Sequence, residues 1–451
     1  MKVKKTDQTP SGDAVLSGLH ICIVGGGVVG LVGGIFLRQY GFRVTILERD
    51  TTLKTIGAGI QLHPNAVRVL QDLGIYEKIR SKSVVPPSII LKEYTTGEIL
   101  HNQDLLEPAR KYGAPVLTLH RGDLRGLLYD GAVAEGVDVR HGVSIDLGDI
   151  DLVNGVVKLS GQSEVLRADL IIGADGAHSV VREALAGRKD EAVPHGKVVN
   201  RILIEEKAIA AVPSLRYLVE KPNIIVWLGP ECQAVTYVLD GTFNIAFTWP
   251  SSLDPNDMFF GPQPVDLDEF RSRLDNWEPE LRDLVGLAEH SLRWMLFEPI
   301  VDDKETPWVD TRGKFCIVGD AAHRVLPYLA QGAAIGIESI ALLAHLLAKV
   351  EDRGQIKDCL DIYQRLRKER TSQISRATLK NGRNWQMADG PLKEERNRVF
   401  LTEVPTAGFP NLLADPFFQE WLWGYDASKA ADEAWSRYKP VREGKELKGK
   451  G

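Results

Sequence analysis

Residues 19–24, LHICIV, form a short run of buried-strand character that is followed at once by GGGVVG and then by an apolar stretch reaching about Tyr40. Few folds accept that succession. Gly25-x-Gly27-x-x-Gly30 has the spacing of the turn between a parallel strand and a helix. Gly25 permits the tight turn, Gly27 lets a pyrophosphate approach the backbone, and Gly30 lets the helix pack closely on the strand. The free N–H groups at the helix start then face phosphate. The next strand, RVTILE, ends at Glu48, 18 residues past Gly30. A carboxylate there can accept the ribose hydroxyls of an adenosine, and its charge opposes a 2′-phosphate. Alone the glycine pattern is a weak signal. The strand before it, the helix after it and the strand-terminal acid make it the first βαβ unit of a Rossmann-like domain.

Two later segments repeat the logic. Gly173-Ala174-Asp175-Gly176 follows the strand DLII, and Gly319-Asp320-Ala321-Ala322-His323 follows FCIV. Each sets an aspartate at the C-terminal end of a strand, where α/β sheets bind ligands. After the second, Gly332 and Ala333 open a helix whose unpaired N–H groups can face negative charge. Between about 195 and 300 the texture changes to apolar alternation, as in IIVWLGPECQAVTYVL and FNIAFTW. That pattern predicts an antiparallel sheet with one wetted or ligand-facing side. A long helical region spans about 333–380, and residues 385–440 are Trp-rich, irregular and then helical.

The expected organisation is an α/β chain with a discontinuous nucleotide-binding domain at 19–80, 101–185 and 305–380 and a substrate domain at 81–100 and 186–304. A helical segment at 381–440 lies between a disordered lead at 1–18 and a disordered tail at 441–451. The charge-rich stretch DIYQRLRKER at 361–370 reads as a solvated helix face.

Composition narrows the function. A formal net charge of −6, with no long basic run before the C-terminal tail, gives no reason to expect a nucleic-acid partner. Cys22, Cys232, Cys316 and Cys359 form no C-x-x-C pair, and the ten histidines are scattered, so no metal is expected. A polar start without an apolar h-region and the lack of about 18 uninterrupted apolar residues predict a cytoplasmic protein without a membrane span.

In order, GGGVVG with Glu48, GAGIQLHPNAVRVLQDLG, LHRGDLRGLL, DLIIGADGAHSVVR and FCIVGDAAHRVLPYLAQGAA resemble the group A flavoprotein monooxygenases over about residues 19–375. Salicylate hydroxylase and the fungal secondary-metabolite enzymes are the most similar subgroup. The resemblance implies a Rossmann-like FAD-binding domain of the para-hydroxybenzoate hydroxylase type, with an inserted antiparallel-sheet substrate domain and a C-terminal helical region. It implies non-covalent FAD, O2, and NADPH or NADH as a transient reductant, in keeping with the single G-x-G-x-x-G. The activity implied is transfer of one oxygen from a flavin C4a-hydroperoxide to a small electron-rich aromatic substrate, by a monomer or homodimer. Phenol hydroxylation and indole C2–C3 epoxidation with rearrangement, in natural-product biosynthesis, both stay open. The alternative is another FAD oxidoreductase of the same fold, a halogenase or an alkene reductase, although no W-x-W-x-I-P halogenase motif is present.

By the same resemblance Glu48 is the ribose ligand, Gly59 and Gln61 lie beside the flavin, and Arg121 contacts the cofactor from the second block. Asp175 belongs to a motif shared between FAD and NAD(P)H, Asp320 meets the ribityl and pyrophosphate, and Gly332 with Ala333 starts the helix over the isoalloxazine. Arg201 is the candidate active-site arginine and Tyr237 a candidate substrate contact. Arg201 otherwise reads as a surface arginine at a domain edge, and Tyr237 as sheet core. Trp227, Phe247 and Trp249 read as ordinary packing before pocket wall. The chain departs from the family at Arg324, where a proline is usual, at Glu338-Ser339, where Glu-Asp is usual, and at the pair Gly33-Gly34.

Overall fold

The computed structural model describes residues 18–52, 58–159, 164–190, 192–252 and 258–448, with side chains described to residue 438. The expected lead at 1–18 therefore lies outside the described residues except for Gly18.

The strands that carry the three motifs are neighbours. Phe315–Ile317, Leu170–Gly173, His20–Val24, Arg43–Glu48 and Asp138–His141 form one five-stranded sheet in that order, parallel throughout. The three motif strands are buried along their whole length, which is why they read as continuous β-branched and apolar runs. Gly25 N donates to Leu47 O, Ala174 N to Val24 O and Val318 N to Gly173 O, so the motif loops leave the same sheet end side by side.

Helix Val28–Gln39 packs between this sheet and helix Gly332–Leu347. Its paired glycines are explained by that packing. A Cβ at Gly33 would lie 2.5 Å from Ile340 Cγ1, and one at Gly34 would lie 2.9 Å from Ile46 Cδ1. The helix propensity given up, about 1 kcal/mol per glycine, is exchanged for close helix–helix and helix–sheet contact.

The second sheet has eight strands, in the order Gln263–Pro264, Leu292–Phe297, Pro194–Glu205, Thr242–Pro250, Cys232–Leu239, Ile224–Gly229, Ser88–Glu93 and Ile99–Asp104. All pairings are antiparallel except that of Ile224–Gly229 with Ser88–Glu93. Ile99–Asp104 thus belongs to this sheet, which moves the expected domain boundary from 100 to 104. Trp227, Phe247 and Trp249 are buried with Phe270, Leu281 and Leu284 beneath helices Leu267–Ser272 and Pro279–Gly286. They are core of the helix-covered face. Tyr237 belongs to the apolar cluster of the other face.

The C-terminal part is more helical than its composition suggests. Helices Gln355–Trp385, Pro391–Thr402, Pro416–Trp423 and Ala427–Lys448 follow one another, and the last packs back on Gly332–Leu347. The stretch 441–448, expected as tail, is helical. The stretch 361–370 is solvated only along Asp361, Arg365 and Glu369: Arg367 is fully buried and Arg370 is 7% exposed. Helix Gln355–Trp385 is covered on a second side by residues Trp421–Tyr425, at the end of helix Pro416–Trp423, whose rings stack on these two guanidiniums. Among the described residues no helix is long and apolar enough to cross a membrane.

Candidate active site

At the N-terminal turn the three glycines separate by role. Gly25 has φ +109°, and a Cβ there would lie 2.4 Å from Ala174 O. A Cβ at Gly30 would lie 2.0 Å from Gly25 O, whereas one at Gly27 meets nothing within 4 Å. The first and third are required by packing; the second faces open space. Helix Val28–Gln39 starts at Gly27 without a side-chain cap and without an acid in its first turn, leaving its N–H groups to an anion.

Glu48, 7% exposed, is held from three directions. Its Oε2 accepts from Gly26 N at 2.9 Å and from Arg125 Nη2 at 2.8 Å, and its Oε1 accepts from Asp50 N at 2.9 Å. A carboxylate has about four acceptor positions, so one stays available for a ribose hydroxyl. Arg125, whose Nε also donates to Gly26 O at 2.9 Å, was not singled out from the sequence. It follows Arg121 by one turn of helix Arg121–Ala134, a spacing that could have flagged it.

Asp320 opens the short helix Asp320–His323 after Gly319. Asp320 is solvent-exposed although protein atoms crowd around its carboxylate. Burial raises its carboxyl pKa, and the Arg121 and Arg324 charges oppose that rise. The structure therefore brings the Arg121 charge near Asp320. Asp175 is engaged locally: Ser179 Oγ donates to it at 2.5 Å and Val181 N at 3.3 Å, holding the start of helix Val180–Ala186. Arg324 takes up its own position. Its Nη1 donates to Ala177 O at 2.9 Å and its Nε to Glu298 O at 3.2 Å, lacing the third motif to the second and to the end of the substrate sheet.

Gly332 and Ala333 are the first residues of helix Gly332–Leu347, which has no acid in its first turn and no side-chain cap. Behind them lies a buried polar network unforeseen from the sequence. Gln331 Nε2 donates to His63 Nδ1 at 2.6 Å, and Asn65 Nδ2 donates to Gln331 Oε1 at 3.1 Å and to Glu338 Oε1 at 2.6 Å. Glu338, fully buried, also accepts from Arg367 Nη1 at 3.0 Å and from Arg370 Nε and Nη2 at 2.8 and 2.9 Å. Burial pushes its pKa up, but Arg370, Arg367 and the hydrogen bonds outweigh it and hold the group at about 2. Burial lowers His63 to about 4, so its ring is neutral and accepts from Gln331. The network joins the loop after Gly59 to the helix start at Gly332.

Gly59 is where the two domains meet. A Cβ there would lie 2.5 Å from Tyr237 Cε2. Its N–H donates to Asn244 Oδ1 at 3.0 Å, and its carbonyl accepts from Arg201 Nη1 at 2.8 Å. Arg201 and Tyr237 stand on one face of the substrate sheet, through the pairings Arg201 with Ala246 and Tyr237 with Asn244. The Arg201 guanidinium lies 6.0 Å from the Trp294 ring centroid. Burial raises the Tyr237 pKa, opposed by the charge of Arg201 and a hydrogen bond from it, so the phenol is protonated. Gln61 is half-buried two residues along strand Gly59–Leu62, on the face of Gly59. Asn244 gave no sequence signal of its own.

A parallel sheet with three ligand-facing loops, an anion-ready glycine turn and a substrate sheet clamped to the cofactor loop define a flavin-dependent oxidoreductase. The family described as FAD binding domain matches residues 19–378, and the chain belongs to it. Within it the chain is an FAD-dependent aromatic monooxygenase of the hydroxylase type. It is similar to the FAD-dependent monooxygenase OpS4 of Beauveria bassiana (strain ARSEF 2860), with 34% identity over 92% of this chain and 97% of that one. It is also similar to the 3-amino-4-hydroxybenzoate 2-monooxygenase PtmB3 of Streptomyces platensis, with 30% identity over 91% of this chain and 96% of that one. The fold matches a salicylate hydroxylase substrate complex with a TM-score of 0.75 and 20% identity, covering 93% of this chain and 98% of that one.

Proposed function

We propose that the protein hydroxylates a phenol, using NADPH or NADH and O2, and that Arg201 and Tyr237 hold the phenolic oxygen beside the flavin. The observation that carries this is the convergence of both side chains on Gly59, through the 2.8 Å bond from Arg201 and the tight seat of the Tyr237 ring. The residues fit the cofactor. Gly27 leaves room for the diphosphate, Glu48 keeps an acceptor for the ribose, Asp320 lies near the Arg121 charge, and the Gly332–Ala333 helix start has N–H groups free of a side-chain cap to offer the isoalloxazine. Bound FAD supplies the redox chemistry: two electrons from the nicotinamide, one atom of O2 placed on the ring, the other released as water.

The protein's own contribution is positional and electrostatic. A guanidinium stays charged, and with one N–H tied to Gly59 O it has others to offer a phenolate or developing negative charge on oxygen. The protonated Tyr237 adds a second donor. Such a donor pair suits a phenolate, which is why phenol hydroxylation is preferred here to indole C2–C3 epoxidation with rearrangement. The name of the Streptomyces platensis relative, a hydroxybenzoate monooxygenase, points the same way.

Arg201→Gln is the test. Product formation should fall by about 10²-fold, the scale of losing one transition-state electrostatic contact, while FAD occupancy holds. Stopped-flow reduction beside product and peroxide assays separates a substrate anchor, whose loss abolishes substrate-stimulated reduction, from an oxygen-transfer role, whose loss yields hydrogen peroxide. Normal coupling and turnover in the variant would return Arg201 to a structural part.

A further inference from the structure

The sheet face that carries Arg201 and Tyr237 continues away from Gly59 in register. The row of Arg201, Ala246 and Val235 comes next to the row of Leu203, Asn244 and Tyr237, and the row of Val199, Thr248 and Gln233 comes after it. The middle row is short-chained at Ala246 and is bordered by Trp294, the register partner of Val199. Adjacent rows on one face are two residues apart, about 7 Å along the strand, the span of one aromatic ring with its substituent. The far row ends in amides rather than in apolar side chains.

Those amides have a forced direction. Lys197 Nζ can only donate, and it donates to Gln386 Oε1 and, at 2.8 Å, to Glu231 O. Gln386 must therefore turn its oxygen to the lysine and its nitrogen onward. Its Nε2 donates to Gln233 Oε1 at 3.0 Å, which turns the nitrogen of Gln233 outward in the same way. Gln233 is 3% exposed, Gln386 7% and Tyr328 4%. The buried Tyr328 hydroxyl lies beside the Gln386 side chain, which can donate to its oxygen, and its own proton has no acceptor among the described residues. Burial pushes its pKa up to about 12, so it keeps its proton. The far end of the face is thus a wall of neutral donors, Gln233 N–H and Tyr328 O–H, oriented from behind by a cation.

We propose that Gln233 and Tyr328 form a subsite for an uncharged carbonyl oxygen carried by the aromatic substrate, about one ring away from the group held at Arg201, with Gln386 and Lys197 as positioning residues. A donor buried without an acceptor costs stability, and a ketone, aldehyde or amide oxygen that accepts from the Tyr328 hydroxyl can accept from Gln233 as well. A carboxylate is disfavoured there, because it would be desolvated against neutral groups, with Lys197 two amides away and Arg201 in the next row. This subsite rests on the hydroxylase reading above.

The test uses FAD-loaded enzyme and two phenols differing by one carbonyl oxygen, 2,4-dihydroxyacetophenone and 4-ethylbenzene-1,3-diol, titrated by perturbation of the flavin spectrum. The wild type should bind the ketone about tenfold more tightly, ~1.4 kcal/mol, and more tightly than 2,4-dihydroxybenzoate. Gln233→Leu should bring the ketone-to-alkyl ratio to about one. Lys197→Met should reduce it and Lys197→Arg restore it, a pattern that general loss of packing would not give. A wild-type ratio near one, an unchanged ratio in Gln233→Leu, or tighter binding of the benzoate would overturn the subsite, and the wild-type comparison holds even if a variant fails to fold. Failure of all three probes to perturb the flavin also overturns it. The hydroxylase reading then stands or falls separately, on whether other phenols stimulate nicotinamide oxidation.

Discussion

Replacing Glu338 by glutamine keeps the shape of the side chain and removes the carboxylate that pairs with both Arg367 and Arg370. Both residues are fully buried, and Arg370 is nearly so. The neutral amide loses its charge-assisted bonds from Arg367 and Arg370, and its own N–H groups point at donors. Removing one partner of such a buried set costs about 3–5 kcal/mol, because a charge is left uncompensated rather than because the pair itself is worth that much. Cation–ring contacts with Trp421 and Tyr425, at 4.6 and 3.9 Å from Arg370, soften the loss without removing it. Unfolding entropy of about 2.1 cal/mol/K per residue, over a chain this long, converts that loss to a fall of roughly 3–5 °C in melting temperature. Flavin release should follow the same trend at lower temperature, since Asn65 bridges Glu338 to Gln331 at the start of the helix. The assay is a melt followed by tryptophan and by flavin fluorescence. A Glu338→Gln protein that melts within about 1 °C of wild type and releases FAD no earlier would refute the claim that this carboxylate is the counter-charge of the site.

Glu48→Ala should raise the FAD dissociation constant by roughly tenfold to 150-fold, the loss of about 1.5–3 kcal/mol from a charged acceptor. Calorimetric titration of apoprotein reads it, and an unchanged constant would remove Glu48 from the ribose site. Stability should fall on acidification from neutral pH. His63 is held at about 4 against an ordinary 6.5, so protonation penalises the fold progressively below pH 6.5. Glu338 is held at about 2 against an ordinary 4.5, so its contribution is complete above pH 4.5 and is lost as pH falls toward 2. Urea midpoints at pH 7, 5.5 and 4.5 should descend in order, and a midpoint that rises on acidification over that range would contradict the His63 assignment. The protein should be yellow with FAD held non-covalently, so that acid precipitation leaves the colour in the supernatant rather than in the pellet.

The cofactor-facing half of the molecule was legible because its constraints are local. The turn at Gly25, the acid at Glu48 and the aspartate after FCIV each follow a strand within a few residues, and strand, turn and helix start are read from one continuous window. The inserted sheet was legible as alternation, but its edge was not. The expected boundary at 100 cuts through strand Ile99–Asp104, because a strand partly covered by the C-terminal helices carries the same residue pattern in either sheet.

What could not be read were pairings across long separations. DIYQRLRKER has the composition of a solvated helix face, and nothing within the segment reveals that Glu338, 29 residues before Arg367, is its counter-charge. The same holds for the substrate end. Lys197, Gln233 and Gln386 are unremarkable one by one, and their meaning arises only when a strand, its neighbour and the cap of helix Gln355–Trp385 are laid side by side. Sequence motifs record where a chain must meet a cofactor that every relative shares. The residues that choose a substrate answer to a ligand that differs between relatives, so they carry no shared window, and their chemistry has to be derived from which atom of each pair is able to donate.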